Sequence, residues 1–337
     1  MREIFIIFLV ISSTIGQEIN CEYEDTSDFG DENNKKTFTC RLRINNPNGF
    51  DDFERMPGNH DDDVNAIEKS VGLTSIIPSI LCKQFKNLEI LSLAEKEIEI
   101  VNRKALENCR NLGAIYLSSN KIREIHRDAF EGPRGLRFLD LEQNHLEIIP
   151  DGIFRGLPSL EWLSLSNNPF HELPEDIFKS LSSLQYLYLS NCDILDIKLG
   201  WFASTPRILY LDMSNNKIDE LPPAVFGSLT ELRHLIMSNN QLTVLDLNAF
   251  GTASLKNLKS LTFNGNLIEA VDPDIFDAAE NLKIARFYKN VCIDDAVEVE
   301  AIVKGKIVLN DDKFSLFYDC ISNFETREGG KVQRDEL

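Results

Sequence analysis

The sequence predicts a repeat solenoid whose coils each add one strand to a parallel sheet. Segments with an L-x-x-L-x-L pattern return along most of the chain, as in LGAIYLSSNKI (112–122), LRFLDLEQNHL (136–146) and LEWLSLSNNPF (160–170). A phenylalanine also returns, almost always after 24 residues, at Phe130, Phe154, Phe178, Phe202, Phe226, Phe250 and Phe276. Such fixed spacing is the signature of stacked, equivalent structural units.

Each repeat begins with a short strand in which leucines alternate with residues of mixed character. Alternation with period two turns the leucines into the core and the intervening side chains onto the open face of the sheet. An asparagine, or once a cysteine, follows the strand at Asn120, Asn144, Asn168, Cys192, Asn216, Asn240, Asn266 and Asn290. An amide there satisfies buried backbone groups that would each cost about 1–3 kcal/mol unpaired. The phenylalanines are expected in the core on the opposite side.

The repeat resembles the 24-residue extracellular class of the leucine-rich repeat family, and the match covers roughly residues 64–292. The resemblance implies a horseshoe-shaped, right-handed superhelix with the parallel sheet on its concave face. Short helices, 3-10 turns and loops would form the convex face, and the asparagines would stack as a ladder. Because the family template allows cysteine at the asparagine position, Cys192 is expected to be a buried structural thiol. The chain is similar to Toll-like receptor ectodomains and to secreted animal leucine-rich repeat proteins.

Composition along the chain predicts five segments. Residues 1–16 are expected to be a signal peptide, because Arg2 precedes a short apolar run and small residues that end at Gly16. No later segment is long and apolar enough for a membrane helix. The remaining segments are a cap with an acidic flexible loop (17–63), about nine repeats plus a degenerate first coil (64–291), a second cap (292–322) and a disordered tail (323–337).

Seven cysteines point to an oxidising compartment, in which most are expected to pair. Disulfides would close the terminal caps and staple two early coils, because the end coils of a solenoid have no further neighbour. The expected arrangement is Cys21–Cys40, Cys82–Cys109 and Cys292–Cys320, with Cys192 left over. Six cysteines allow 15 pairings, so this connectivity is a prediction.

The open-face strand positions supply the candidate binding site. Aromatic residues occupy the same strand position on four consecutive coils, with further aromatic, acidic and imidazole neighbours. The set is Tyr116, Phe138, Asp140, Trp162, Tyr186, Tyr188, Tyr210, Asp212 and His234. Aromatic side chains are enriched in interface hot spots, and the two aspartates would orient a basic group of a partner. Alternatively, the rings serve only to stabilise one another between strands. Both interpretations stay open.

The charge and the absence of chemical motifs narrow the function. The net charge of −19 argues against nucleic acid and anionic membranes as partners. No catalytic or cofactor-binding constellation is present, and the five histidines lack ligand spacing. The acidic run His60-Asp61-Asp62-Asp63 lacks the spaced ligands of a calcium loop and is expected to be solvated. The sequence therefore predicts a non-catalytic, metal-independent module that binds another protein, or a glycoconjugate, through its concave face.

Three roles fit such a module. The first is secreted recognition, in immunity, signalling or cell adhesion. The second is residence in the endoplasmic reticulum lumen with client proteins, because Arg334-Asp335-Glu336-Leu337 resembles the K-D-E-L retrieval address. The third is a structural part of the extracellular matrix, against which the lack of glycosylation sequons and of a Ser-Gly-rich attachment segment argues mildly. The ligand and the oligomeric state are not encoded in any motif.

Overall fold

A computed structural model describes residues 21–25, 38–42, 66–67, 77, 81–292, 298–299, 302–303, 306–307 and 320–324. The predicted signal peptide, the acidic run at 60–63 and the last four residues lie outside these ranges. The chain divides into two compact units, residues 1–168 and residues 169–337. Among the described helices, none has the length and apolar character needed to cross a membrane.

The described residues of the first unit form mostly parallel short strands and one helix. Its strands are β1 Cys21–Asp25, β2 Phe38–Leu42, β3 Ala66–Ile67, β4 Ile90–Ser92, β5 Ile100–Val101, β6 Ala114–Tyr116, β7 Glu124–Ile125, β8 Phe138–Asp140 and β9 Trp162–Ser164. The helix α1 spans Leu81–Gln84. Strands β1 and β2 pair antiparallel, whereas β2, β3, β4, β6, β8 and β9 follow one another in parallel.

Register within this sheet advances by one repeat per strand. Ala66 lies opposite Ile90, Ile90 opposite Ala114, Ala114 opposite Phe138, and Phe138 opposite Trp162. Each step is 24 residues, which is the period of the sequence pattern. The coil predicted as degenerate therefore contributes a strand in the same register as its regular neighbours.

The second unit continues with the same kind of coil. Its strands are β10 Tyr186–Tyr188, β11 Tyr210–Asp212, β12 His234–Ile236, β13 Val244–Leu245, β14 Ser260–Thr262, β15 Ala270–Val271, β16 Ile284–Arg286, β17 Glu298–Val299, β18 Ile302–Val303 and β19 Lys306–Ile307. A 3-10 turn covers Leu247–Ala249, the helices include α2 Thr252–Leu255 and α3 Asp274–Ala278, and the described residues 320–324 are also helical. Strands β10, β11, β12, β14 and β16 are parallel neighbours, and β17 closes the edge antiparallel to β16.

The side of each coil opposite the strands is built mainly from turns and short helices, as expected. Two small ladders there were not predicted: β5 pairs with β7, and β13 pairs with β15, each over two residues. Buried phenylalanines fill the space behind them. Phe130 stacks on Phe154 at a centroid distance of 6.4 Å in the first unit. In the second, Phe202 stacks on Phe178 at 6.5 Å and on Phe226 at 6.0 Å.

The asparagine ladder predicted from the repeat is present in both units. Asn144 donates from Nδ2 to the carbonyl oxygens of Leu117 (2.9 Å) and Leu141 (3.0 Å), and its Oδ1 accepts from the N–H of Ile122 (3.0 Å). One side chain thus ties together the turns of two successive coils. Cys192 takes this place in its own repeat, where it is fully buried.

Two disulfides join described residues, Cys82–Cys109 and Cys292–Cys320, in the pairing expected from the sequence. The first joins helix α1 to the next coil of the first unit. The second joins the last regular coil to the segment 320–324. The side chains of Cys21 and Cys40 lie outside the described part of the structure, so their pairing stays a prediction. The predicted solenoid fold is therefore confirmed by the leucine-rich coils, the parallel strands and the disulfides.

Candidate functional site

The strands present one side chain to the core and its two neighbours to the open face. In β6, β8, β11 and β12 the central residue is buried and both flanking residues are half-buried. All nine predicted site residues occupy such flanking positions. Tyr186 is the most open of the aromatic ones, with 39% of its surface exposed. The period-two argument therefore placed these side chains on the correct face.

The first unit carries an aromatic cluster of three rings, Tyr116, Phe138 and Trp162. Phe138 and Trp162 lie nearly parallel, with centroids 4.0 Å apart and planes at 10°. Tyr116 approaches Phe138 at 4.7 Å with its ring tilted by 39°. The register explains the contacts, because Phe138 is the cross-strand partner of Trp162 and lies one strand from Tyr116. We call this set the first aromatic cluster.

The second unit carries a separate group, Tyr186, Tyr188, Tyr210 and His234, which we call the second aromatic cluster. Tyr188 and Tyr210 have centroids 5.2 Å apart, and Tyr210 lies 5.9 Å from the His234 ring. Tyr186 lies opposite Tyr210 in the register. The ring geometry differs between the clusters, because the first is built around a stacked pair and the second around tilted rings.

The two predicted aspartates turn back towards their own strands. The Asp140 carboxylate accepts a hydrogen bond from the N–H of Glu142 at 3.0 Å. The Asp212 carboxylate accepts from the N–H of Ser214 at 2.9 Å and from its hydroxyl at 2.6 Å. Such local bonds fix a carboxylate in the turn after a strand. Both groups stay half-buried, so they retain acceptor capacity for a partner.

The protein environment shifts two titrations in the second aromatic cluster. Burial, followed by the negative charge of Asp212 and by Tyr188, raises the pKa of Tyr210 to about 12. Burial lowers the pKa of His234, and the positive charges of Lys259 and Arg233 lower it further. Both shifts favour the neutral ring near neutral pH. The cluster therefore presents neutral, hydrogen-bonding aromatic surface rather than charge.

A polar groove in the first unit was missed by the sequence reading. It runs along the turns that follow the strands, where Ser119, Gln143 and Asn167 all have positive φ, between 55° and 58°. Ser119 donates from its hydroxyl to Gln143 Oε1 at 3.2 Å, and Lys121 pairs with Glu97 at 3.0 Å along the same edge. The sequence did contain a signal for this groove, because a small or amide side chain comes directly before the ladder asparagine in each of these repeats.

Charged side chains at the second position of several repeats were also missed, because only the third and fifth positions were considered. In the first unit Arg137 and Glu161 occupy this position on neighbouring coils. The guanidinium donates to both carboxylate oxygens, at 2.9 and 2.7 Å.

Across the described ranges, no group of three or more His, Cys, Asp or Glu side chains is arranged to hold a metal ion.

Solved structures similar to this chain are themselves ectodomain-type solenoids. A chain in the TLR13–ssRNA13 complex matches 68% of this chain and 32% of its own length, with 28% identity and a TM-score of 0.58. A chain in the Drosophila Toll–Spatzle complex matches 71% of this chain and 35% of its own, with 21% identity and a TM-score of 0.58. This chain thus spans about a third of those two proteins.

A third similar structure is of more equal length. A chain of the APL1 leucine-rich repeat domain matches 76% of this chain and 69% of its own, with 23% identity and a TM-score of 0.57. At this identity the likeness shows the fold. No curated protein sequence matches the chain.

Family models give the most direct assignment. The model described as "Leucine rich repeat" matches residues 86–146, 139–194 and 193–242. The model described as "Leucine Rich repeats (2 copies)" matches residues 230–275. Together the matches run without interruption from 86 to 275, which is more than half of the 337 residues. The chain therefore belongs to the leucine-rich repeat family.

Proposed function

We propose that this protein is a non-catalytic recognition protein of the secretory pathway that binds another protein through the open face of its strands. The observation that carries the proposal is the pair of part-exposed aromatic clusters on that face. A ring that serves only the core is expected to be covered, as the stacked phenylalanines are. Tyr186, in contrast, leaves 39% of its surface exposed.

Energetics favour binding over lateral packing alone. Cross-strand aromatic pairs contribute roughly 0.2–1 kcal/mol each, which β-branched residues at these positions would largely match. Tyrosine and tryptophan have a different advantage, because they offer large contact area at low entropic cost and a polar atom at the rim. The carboxylates of Asp140 and Asp212, which are half-buried and bonded to their own turns, add hydrogen-bond acceptors beside the rings. This combination is typical of a protein-binding surface.

The class of partner follows from charge. The TLR13 structure is of a complex with single-stranded RNA, so a nucleic acid partner has to be weighed. Phosphate backbones bind through several lysine or arginine contacts, and this chain carries a net charge of −19. Asp140 and Asp212 lie on the same strands as cluster rings, and none of the nine predicted site residues is a lysine or an arginine. A protein partner with a basic or neutral surface suits them better.

Photo-crosslinking tests the binding face. A benzophenone amino acid replaces Tyr186 in one variant and Lys179, an exposed residue on the side opposite the strands, in a control. Both proteins are applied to intact cells and to conditioned medium. We expect defined covalent adducts from position 186 and none from position 179. We also expect Tyr188→Ser, beside Tyr210, to reduce the adduct yield. Equal yields at the two positions, or no adduct at 186, would contradict the proposal.

A secretion assay tests the compartment. The disulfides Cys82–Cys109 and Cys292–Cys320 favour an oxidising environment, which both the extracellular space and the endoplasmic reticulum lumen provide. The full chain with an internal tag is compared with a version in which added residues mask Leu337. Appearance of both in the medium supports secreted recognition, in immunity or adhesion. Appearance of the masked version alone supports the luminal, client-binding role. Retention of both contradicts secretion.

A further inference from the structure

Three exposed cations precede three neighbouring strands of the second unit, β12, β14 and β16. Arg233, Lys259 and Lys283 take the second position of three successive repeats, and all three are exposed. Their backbones are direct neighbours in the sheet. The Lys259 N–H donates to the Arg233 carbonyl at 2.8 Å, and the Lys283 N–H donates to the Lys259 carbonyl at 2.9 Å. Neighbouring strands lie about 4.8 Å apart, so the charges are stacked side by side. We call this set the basic column.

In the first unit the same repeat position holds an ion pair. There Arg137 faces Glu161 across neighbouring coils in a bidentate pair with N–O distances of 2.9 and 2.7 Å. Within the described residues, no member of the basic column forms an ion pair. Like charges on directly opposed strand residues destabilise a sheet. The basic column therefore lacks the ion-pair stabilisation that Arg137 and Glu161 provide at the same repeat position in the first unit.

The surroundings of the basic column leave it accessible. The third-position residue beside Lys259 is Ser260, a small and buried side chain, and Lys259 itself is exposed. On the same coils Arg286 adds a half-buried guanidinium at a fifth position. His234, beside Arg233, feels the positive potential of Lys259 and Arg233, which contribute to the lowering of its pKa. The basic column thus gathers three cations at neighbouring positions in a chain of net charge −19.

We propose that the basic column binds a short acidic segment of a partner protein. Three cations at strand spacing span about 10 Å, which matches roughly three residues of an extended chain. A long polyanion such as a nucleic acid would extend past the column and meet the acidic remainder of the protein. A short run of aspartate or glutamate satisfies the column without that repulsion. This site is distinct from the aromatic clusters and stands whether or not those bind a protein.

Fluorescence anisotropy with a labelled hexaglutamate peptide tests the basic column on the full chain. The variant R233Q/K259Q/K283Q removes its three charges. The control K179Q/R207Q/K217Q removes three exposed charges elsewhere in the same unit, so both variants change the net charge equally. We expect the peptide to bind the unmodified protein at low ionic strength and the column variant about tenfold more weakly, with the control within about twofold. Binding should weaken as salt shortens the Debye length from about 30 Å at 0.01 M to about 10 Å at 0.1 M.

Thermal unfolding separates a binding role from a structural one. Because like charges are removed, the column variant should unfold at the same temperature as the unmodified protein or higher. A lower unfolding temperature would overturn the binding role by making the column structural. Equal loss of peptide binding in both variants, or no binding by the unmodified protein, would overturn the site. Tighter, column-dependent binding of a charge-matched single-stranded oligonucleotide or a heparin hexasaccharide would overturn the partner class.

Discussion

Asn216 illustrates how much of this fold depends on one side chain per repeat. Its Oδ1 accepts hydrogen bonds from the N–H groups of Cys192 (3.0 Å) and Ile194 (3.1 Å). Its Nδ2 donates to the carbonyl oxygens of Leu189 (2.8 Å) and Met213 (2.9 Å). All of these groups are buried. An amide suits this position because it carries both an acceptor and two donors at fixed geometry.

Substitution of Asn216 by alanine should therefore destabilise the second unit strongly. Loss of the amide leaves several buried backbone groups unpaired, and we expect a cost of roughly 2–4 kcal/mol in the free energy of unfolding. Asn257→Ala is the matched control, because Asn257 is exposed and donates one hydrogen bond, to the Thr230 carbonyl. Urea denaturation followed by circular dichroism measures both. Similar costs for the two variants would contradict the role assigned to the ladder.

Tyr210 gives a pH-dependent prediction. Burial, together with Asp212 and Tyr188, raises its pKa from 10.0 to about 12. Because the folded state holds the phenolic proton more tightly than the unfolded state does, the contribution of Tyr210 to stability is complete below pH 10 and is lost as the pH rises through 12. Ultraviolet difference titration should show a late ionisation that disappears in Tyr210→Phe. The same ionisation persisting in that variant would assign it to another tyrosine.

At the scale of residues, the sequence predicted orientation better than contact. Strand alternation placed Trp162 and Tyr210 on the open face, because orientation depends only on backbone period. The stacking of Phe138 on Trp162 depends on side-chain rotamers, which a single sequence does not determine. Trp201 shows the same limit: among the described residues its buried Nε1 has no hydrogen-bond partner, which no pattern indicated.

The elements are too short to be stable alone. Most strands on the open face have three residues, and the helices have four or five. Their stability comes from stacking on the neighbouring coil, through the leucines and the phenylalanines behind them. The 24-residue period predicted the regular strands because it repeats at all but one of the regular coils, the exception being the 26-residue step from His234 to Ser260. The ladders β5–β7 and β13–β15 escaped prediction because two residues carry no readable pattern.

The phenylalanine stack should dominate this stability. Phe202 is fully buried, and its ring contacts those of Phe178, Trp201 and Phe226 at centroid distances of 6.5, 6.3 and 6.0 Å. Phe202→Ala leaves a cavity between coils, and we expect a loss of about 3–5 kcal/mol. Tyr186→Ala removes an equally large but exposed ring, and should cost less than about 1 kcal/mol. Chemical denaturation of both variants compares them; a reversed order would contradict the assignment of core and surface.

At the scale of the whole molecule, the sequence predicted the solenoid more firmly than its ends. The interior coils share the same arrangement of strand, asparagine turn and buried phenylalanine, so one repeat pattern describes most of the chain. An end coil has no further coil to pack against, and the segments that cap the two ends do not share the repeat pattern. For the ends, the cysteines carried the prediction, and they indicated the disulfide Cys292–Cys320 that follows the last regular coil. The antiparallel edge strand Glu298–Val299 had no signal in the sequence.

The disulfide Cys82–Cys109 should hold the early coils of the first unit together. It closes a loop with a sequence separation of 27, for which chain entropy predicts a contribution of about 3 kcal/mol. In a solenoid this loss acts locally, because each coil depends on its immediate neighbours. In C82S/C109S, hydrogen exchange should therefore accelerate most in residues 81–117 and progressively less towards residue 164. Uniform acceleration over the first unit would show that its coils unfold as one cooperative block, and an unchanged exchange pattern would show that packing alone holds this end.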